Sequence, residues 1–375
     1  MNKIMKKKIV FFVSTDRYFI THRLNLAIKA VESNYQVFLI TSKTSNKYIK
    51  NITDNNIKVY NIKLHRSNLN IFSEIVFFFK FLKCLFLIKP DIIHNVALKP
   101  VVYGSLASFL LRIKLTVNAI AGTGIIFNKI NKTNFFLQKF IKFILSKSLK
   151  KGTVIVQNDS DKNFIIKLGI EKKKINMQNG VGINLNKYRN EAKLANKPRI
   201  LLASRLLWSK GVGDYVEAIK ILNKKQNSFI FLLAGFSDLE NPDHIKEKFI
   251  KEWEDKKLLV FLGWVEDMPK LLSSIDIFCL PSYYGEGVPK SLIEAIASSI
   301  PCITTDTPGC RITVQNNENG FLVPIMNPKE IAKSIEKIIE SDFIYSRMSK
   351  KSRLLAENKF NEDTIINQTL KIYGS

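Results

Sequence analysis

Twice along this chain, short apolar runs alternate with helix-length segments, and a polar interval without apolar periodicity separates the two sets. Apolar runs of this length, bounded by turn residues, read as strands buried on both faces, and strands alternating with helices build parallel sheets. The first set comprises Ile9 to Thr15, Gln36 to Thr41, Lys58 to Leu64, Asp91 to Val96, Leu115 to Gly122 and Thr153 to Asn158. The second comprises Arg199 to Arg205, Phe229 to Gly235, Leu258 to Trp264, Asp276 to Ser282 and Pro301 to Asp306. Asn184 to Lys197 is the link between them. The pattern predicts an α/β chain of two Rossmann-like, doubly wound domains facing a central cleft, residues 1–183 and 184–360. The C-terminal helix, within 361–375, is free to pack back on the first domain.

Two domains also suit a chain of 375 residues, which exceeds what one core usually fills. A formal charge of +26 asks for an anionic partner, whether nucleic acid, acidic lipid or a phosphorylated substrate. Nucleic acid is not expected, because the lysines are spread over the whole chain and no nucleic-acid module is recognisable. Cys84, Cys279, Cys302 and Cys310 form no C-x-x-C pair, and buried thiols in a reducing cytosol fit them best. The apolar stretch after Met1 is short and continues into a patterned domain, so it reads as a first strand and not as a signal peptide. Lys80, Lys83 and Lys89 interrupt the longest apolar run, Ile71 to Asp91, which therefore does not read as a membrane span.

The strand ends carry the candidate chemistry. The first loop, Ser14 to Arg23, lacks the G-x-G-x-x-G of a dinucleotide site. His22 and Arg23, at its end, lie just inside the next helix and can meet an anionic acceptor, or form an ordinary surface pair. His94 stands at the carboxyl end of a central strand, where a side chain tends to face the crevice, or it is a hydrogen-bonded structural histidine, and Lys99 follows shortly after. Gly122 and Gly124 end the next strand and would let a ligand approach the backbone. Asp159-Ser160-Asp161 looks like a D-x-D metal motif but opens a helix, where these residues serve as caps. No spacing of His, Cys or acids indicates a metal site.

In the second half, Arg205 ends a strand and Lys210 precedes a glycine-rich helix start, two cations suited to a diphosphate. Glu286 lies in a strand-to-helix loop ahead of Gly287, Val288 and Pro289, with the helix expected from about Val288. Glu294 follows eight residues later on that helix. At the helical rise the two carboxylates stand up to roughly 12 Å apart, the reach from a ribose across a diphosphate to a sugar. Free N–H groups at the helix start favour a phosphate there.

Between Lys129 and Lys151 there are many lysines and no acid. On a helical projection Leu137, Ile141, Ile144 and Leu145 form a packing arc. Phe136, Phe140 and Phe143 fall instead among Lys139, Lys147 and Lys150, a face suited to an anionic membrane surface.

With these residues in view, the chain resembles the retaining GT-B glycosyltransferases, in particular the bacterial group that builds O-antigen and capsular polysaccharides (glycosyltransferase family four, glycosyl transferases group one). Ser204 to Gly211 (SRLLWSKG), EGVPKSLIEA from Glu286 and TTDTPGCR up to Arg311 carry the resemblance most strongly. Phe19 to Ala27, His94 to Ser108 and Asn118 to Gly124 look like the branch that extends lipid-linked oligosaccharides. The resemblance implies that Arg205 and Lys210 hold a donor diphosphate, Glu286 contacts the donor sugar and Glu294 binds the ribose, with Gly287, Val288 and Pro289 supplying backbone donors. It implies transfer, with retention and without metal or other cofactor, of a hexose or N-acetylhexosamine from a nucleotide sugar, with UDP the expected nucleotide. The implied acceptor is an undecaprenyl-diphosphate saccharide at the inner face of the cytoplasmic membrane, and His94 is a candidate to assist catalysis. Asp16, Arg17 and Tyr18 stand where the wider family has a glycine pair, and Ala121 to Gly124 where it often has a histidine. A sugar-nucleotide epimerase of the same fold is the nearest alternative, and a basic nucleic-acid-binding protein a more distant one. Oligomeric state is not legible.

Overall fold

The structure is a computed structural model that describes residues 6–64, 71–122, 135–188, 193–224 and 229–374. Among the described residues, thirteen strands form two wholly parallel sheets. The first holds β1 (Lys8–Thr15), β2 (Gln36–Ser42), β3 (Lys58–Asn61), β4 (Ile92–Val96), β5 (Leu115–Ile120), β6 (Thr153–Val156) and β7 (Ile175–Met177). Their order is β3-β2-β1-β4-β5-β6-β7. The second holds β8 (Arg199–Ala203), β9 (Ile230–Ala234), β10 (Val260–Gly263), β11 (Ile277–Leu280), β12 (Cys302–Thr305) and β13 (Gly320–Val323), in the order β10-β9-β8-β11-β12-β13.

Each sheet is therefore doubly wound. The order reverses between β1 and β4 in the first sheet and between β8 and β11 in the second. Such reversals leave a crevice outside the carboxyl ends of the strands, because the helices that follow them leave toward opposite faces. The edge strands β7 and β13 are additions to the eleven the pattern marks. They are three and four residues long.

Strand alternation assigns the cores. Ile9, Phe11 and Val13 of β1 face one side of the first sheet, while Val10 and Phe12 face the other. The helix Ile71–Ile88 packs on the second side, with the Phe12 and Phe81 ring centroids 4.3 Å apart. The helix Glu362–Gly374 adds Ile366 and Tyr373 to the core on the opposite side. The chain divides into one compact unit of Met1–Val181 with Ile366–Ser375 and another of Gly182–Ile365.

Two loops explain departures from the expected sequence pattern. Asp16 is fully buried, and its carboxylate accepts from the backbone N–H of Arg17 and Thr44 (both 2.8 Å), from that of Ser45 (3.2 Å) and from the Thr44 hydroxyl. A buried acid satisfied in this way pins the loop after β1 to the loop after β2, a task a glycine pair could not perform. At the helix Asp159–Lys167 the cap is Asn158 and not the residues after it. Its Oδ1 accepts from the Asp161 N–H, and its Nδ2 donates to Asp161 Oδ2, both at 2.8 Å. The D-x-D thus opens a helix, one residue later than its own cap.

The four cysteines are free and buried. Among the described residues, no helix is long and apolar enough to cross a membrane.

Candidate active site

The reversal in the second sheet brings the loops after β8 and β11 together, and these loops hold the charged residues. Glu286 is gripped from both sides. Ser282, fully buried, donates to its Oε1 at 2.7 Å, and Lys210 forms an ion pair with its Oε2. Lys210 is only 6% exposed. Removing two charges from water costs several kcal/mol per ion, so such a pair is weak evidence for stability and good evidence for imposed geometry. Lys210 ends a short turn, Trp208–Lys210, that Gly211 closes at φ +76°. A Cβ on Gly211 would stand 2.1 Å from the Pro281 carbonyl oxygen, so close approach as well as backbone angle requires glycine.

Arg205 completes the cluster. Its Nη1 donates to Asp238 Oδ2 at 3.1 Å, and Asp238 is buried. The Tyr284 ring takes both cations, with Arg205 Cζ 5.5 Å and Lys210 Nζ 5.3 Å from its centroid. The sequence pairing of Arg205, Lys210 and Glu286 is thus one cluster in space. Ser282, Tyr284 and Asp238, which organise it, carry no signal in spacing alone. Burial lifts the neighbouring Tyr283 hydroxyl to about 12, with Asp243 and Asp214 adding to it, and lifts the Cys310 thiol to about 11, with Glu286 adding. Both groups stay neutral at physiological pH.

Glu294 lies within the helix Lys290–Ala297, which starts two residues later than expected. Pro289 is the N-cap residue and has no N–H, so its part in the turn is to set direction and not to donate. Glu294 is 7% exposed and not a solvated helix glutamate. Tyr188 donates to its Oε1 at 2.8 Å, and Lys290 forms an ion pair with the same oxygen. Burial, and then the Glu294 charge, hold the Tyr188 hydroxyl well above its ordinary pKa. Tyr188 comes from the polar interval read as a link, so this interval reaches Glu294.

The first unit corrects one candidate and qualifies others. His94 is not at the end of its strand but in the middle of β4, and is 1% exposed. Its Nδ1 lies 2.5 Å from the Tyr373 hydroxyl, and its ring stacks on Phe11 at 5.2 Å. Burial, with nearby Arg23, holds its pKa well below the ordinary value. His94 is a neutral core histidine anchoring the last helix, and the expectation of a ligand-facing histidine fails for that reason. Arg23 is likewise buried, between the helices Asp16–His22 and Leu24–Glu32, and donates to the His22 carbonyl at 3.1 Å. His22 stacks on Tyr18 at 4.1 Å and lies 2.6 Å from the Thr21 hydroxyl through Nδ1.

Lys99 sits at the start of the helix Leu98–Leu111, just after β4, and pairs with Glu74 at 2.6 Å. The residue capping that helix, Ala97, has φ +78°. A non-glycine residue there marks strain at a strand end, and strain of this kind concentrates at functional sites. Gly122 has φ +95°, while Gly124 lies outside the described residues.

The basic segment forms the helix Phe135–Leu149. Leu145 and Leu149 are buried, and Ile141 is partly buried against the same core. Phe143 is 61% exposed with Lys147 Nζ 5.6 Å from its ring centroid, and Lys139 and Lys150 are exposed. The side chains of Phe136 and Phe140 lie outside the described residues. Among the described residues, no group of three or more His, Cys, Asp or Glu could hold a metal ion.

Comparison with known proteins bears on this arrangement. The protein-family model described as "Glycosyl transferase 4-like" matches residues 8–158, and that described as "Glycosyl transferases group 1" matches residues 186–355. The chain is 29% identical over 364 residues to a Campylobacter jejuni N,N'-diacetylbacillosaminyl-diphospho-undecaprenol alpha-1,3-N-acetylgalactosaminyltransferase, covering 92% of this chain and 93% of that one. It is 25% identical over 321 residues to an Escherichia coli UDP-Gal:alpha-D-GlcNAc-diphosphoundecaprenol alpha-1,3-galactosyltransferase, covering 82% and 81%. Among solved structures, Anabaena HepE in complex with UDP and glucose superposes with a TM-score of 0.78 at 18% identity, covering 98% of this chain and 99% of that one, a likeness of fold. From the two family matches, the two doubly wound sheets and the charged cluster at the second reversal, the chain belongs to the glycosyl transferases group 1 family and is a glycosyltransferase of GT-B architecture.

Proposed function

We propose that this glycosyltransferase moves a hexose or N-acetylhexosamine from a UDP-sugar to an undecaprenyl-diphosphate-linked saccharide, with retention, in the synthesis of O-antigen or capsular polysaccharide. The observation that carries it is the Lys210–Glu286 pair, held by Ser282 and Tyr284 beside Arg205 at the carboxyl ends of β8 and β11. As the bond from the anomeric carbon to the diphosphate oxygen breaks, negative charge grows on the departing diphosphate. Arg205 and Lys210 stabilise that charge where it develops, with no metal required. Glu286 holds the sugar and Glu294 the ribose hydroxyls. The acceptor class rests on the Campylobacter and Escherichia relatives, both named as transferases acting on diphospho-undecaprenol saccharides. The first unit takes the acceptor, with Lys99, His22 and Gly122 its candidates and the helix Phe135–Leu149 against the anionic inner face of the membrane.

Thermal unfolding with a panel of UDP- and GDP-sugars tests donor class. A UDP-sugar at a hundredfold excess over its Kd is expected to stabilise the protein by about 3 kcal/mol, with EDTA leaving the shift intact. If no nucleotide sugar raises Tm, the donor reading fails. If the shift appears only with a divalent cation, metal independence fails. An epimerase would instead release epimerised donor in the absence of any acceptor.

A further inference from the structure

The helix Phe135–Leu149 is one of three that cover the same face of the first sheet. Val10, Phe12 and Ile93 point to that face, and Phe77, Phe81 and Leu85 of the helix Ile71–Ile88 pack on them with Ala107 of the helix Leu98–Leu111. Ile120, Val154 and Val156 point the same way and receive Leu145 and Leu149. Neighbouring helices of this layer touch one another.

Their outward faces are unusual. On the helix Ile71–Ile88, Ile75, Val76, Phe79, Phe86 and Leu87 are exposed, with Phe79 65% exposed. These positions recur every three, four or seven residues, so they form one stripe of about 18 Å along the helix. On the helix Leu98–Leu111, Leu106, Phe109 and Leu110 repeat the pattern, with Phe109 58% exposed. Single exposed apolar residues are ordinary, but a contiguous apolar surface of aromatic and aliphatic side chains marks a contact site.

Charge identifies what makes the contact. Residues 71–114 and 135–151 hold eleven Lys and Arg against two acids. Both acids are engaged, Glu74 by Lys99 and Tyr103, and Asp91 by the Lys8 N–H and Lys114. Lys80 and Lys83 are exposed on the first helix, and Lys151 Nζ lies 4.3 Å from the Phe109 ring centroid. A second copy of the chain seated on this face would bring two basic surfaces together, which like-charge repulsion opposes. An anionic bilayer satisfies both features, taking the rings at the acyl boundary and the lysines at the headgroups.

We propose that the outward faces of the helices Ile71–Ile88 and Leu98–Leu111, together with the basic helix Phe135–Leu149, form one docking surface for an anionic lipid bilayer. This deepens, and rests on, the lipid-linked acceptor proposed above. It moves the apolar part of the contact from the helix the sequence singles out to the two before it.

The test is co-sedimentation of the full chain with phosphatidylcholine vesicles, with and without phosphatidylglycerol. The wild type is expected to bind the phosphatidylglycerol vesicles. The double variant Phe79→Ser/Phe109→Ser, altered only at exposed positions, is expected to bind them at least about tenfold more weakly while keeping its Tm. Lys139→Ala/Lys147→Ala/Lys150→Ala is expected to lose the dependence on phosphatidylglycerol. Aromatic variants that bind as the wild type does would overturn the proposal, even if the lysine variant fails to bind. So would a wild-type dimer, seen by analytical ultracentrifugation, that the aromatic changes split without affecting vesicle binding. Transfer to a detergent-solubilised lipid-linked saccharide separates the two readings: if the wild type shows none yet binds vesicles through Phe79 and Phe109, the acceptor is wrong and the surface stands.

Discussion

Replacing Lys210 by alanine is expected to lower kcat for sugar transfer by about 10³-fold, with a smaller change in KM for the donor. The ground-state diphosphate already carries charge, which Arg205 shares. The additional charge that appears as the glycosidic bond breaks falls on oxygens that a buried cation stabilises far more strongly than an exposed one. Lys210 is such a cation, held by Glu286 and by the Tyr284 ring. Losing it also leaves the Glu286 carboxylate beside Ser282 without its cation, so circular dichroism and Tm must accompany the kinetics. A folded Lys210→Ala enzyme with the wild-type rate would remove this lysine from the site. Arginine is not a conservative replacement here, because a planar fork does not match a buried point charge held between Glu286 and the Tyr284 ring.

Gly309→Ala is expected to be nearly as damaging, for a steric reason. The backbone at Gly309 has φ −76° and ψ −41°, which alanine adopts freely. The difficulty is space: a Cβ there would lie 1.6 Å from the Gly287 carbonyl oxygen and 2.7 Å from that of Glu286. Both are backbone atoms, so the loop that carries Glu286 and Gly287 must itself move. Overpacking of this kind costs about 1–3 kcal/mol of stability, and displacing a positioned carboxylate by an ångström costs on the order of 10²-fold in rate. Steady-state kinetics with a Tm measurement check both effects. An active, fully stable Gly309→Ala variant would show that the 309 turn does not buttress the loop.

The two sheets were legible because buried parallel strands leave continuous apolar runs, and eleven of the thirteen strands among the described residues do so. The charged cluster was legible because Arg205, Lys210 and Glu286 occupy strand ends and a strand-to-helix loop, and Glu294 the helix that follows, at spacings that survive in sequence. The residues that tune it were not. Asp238 reaches Arg205 and Tyr188 reaches Glu294 from distant loops, and Ser282 and Tyr284 are distinguished only by where their side chains point. His94 misled because, although the strand reads correctly to Val96, a residue two before its end points into the core and not toward the crevice. Phe79 and Phe109 were hidden for the opposite reason, since an apolar helix reads as buried until its outward face is seen.

The central claim is that Glu294 marks the nucleotide end and Glu286 the sugar end of one donor site. Isothermal titration of UDP, and of the UDP-sugar that stabilises the wild type most, against Glu294→Ala and Glu286→Gln tests it directly. Glu294→Ala is expected to weaken both ligands by about tenfold, the loss of a charge-assisted hydrogen bond to the ribose. Glu286→Gln is expected to leave UDP affinity unchanged and weaken only the UDP-sugar. A Glu294→Ala protein that binds UDP as the wild type does, or a Glu286→Gln protein that weakens both ligands equally, would contradict the assignment.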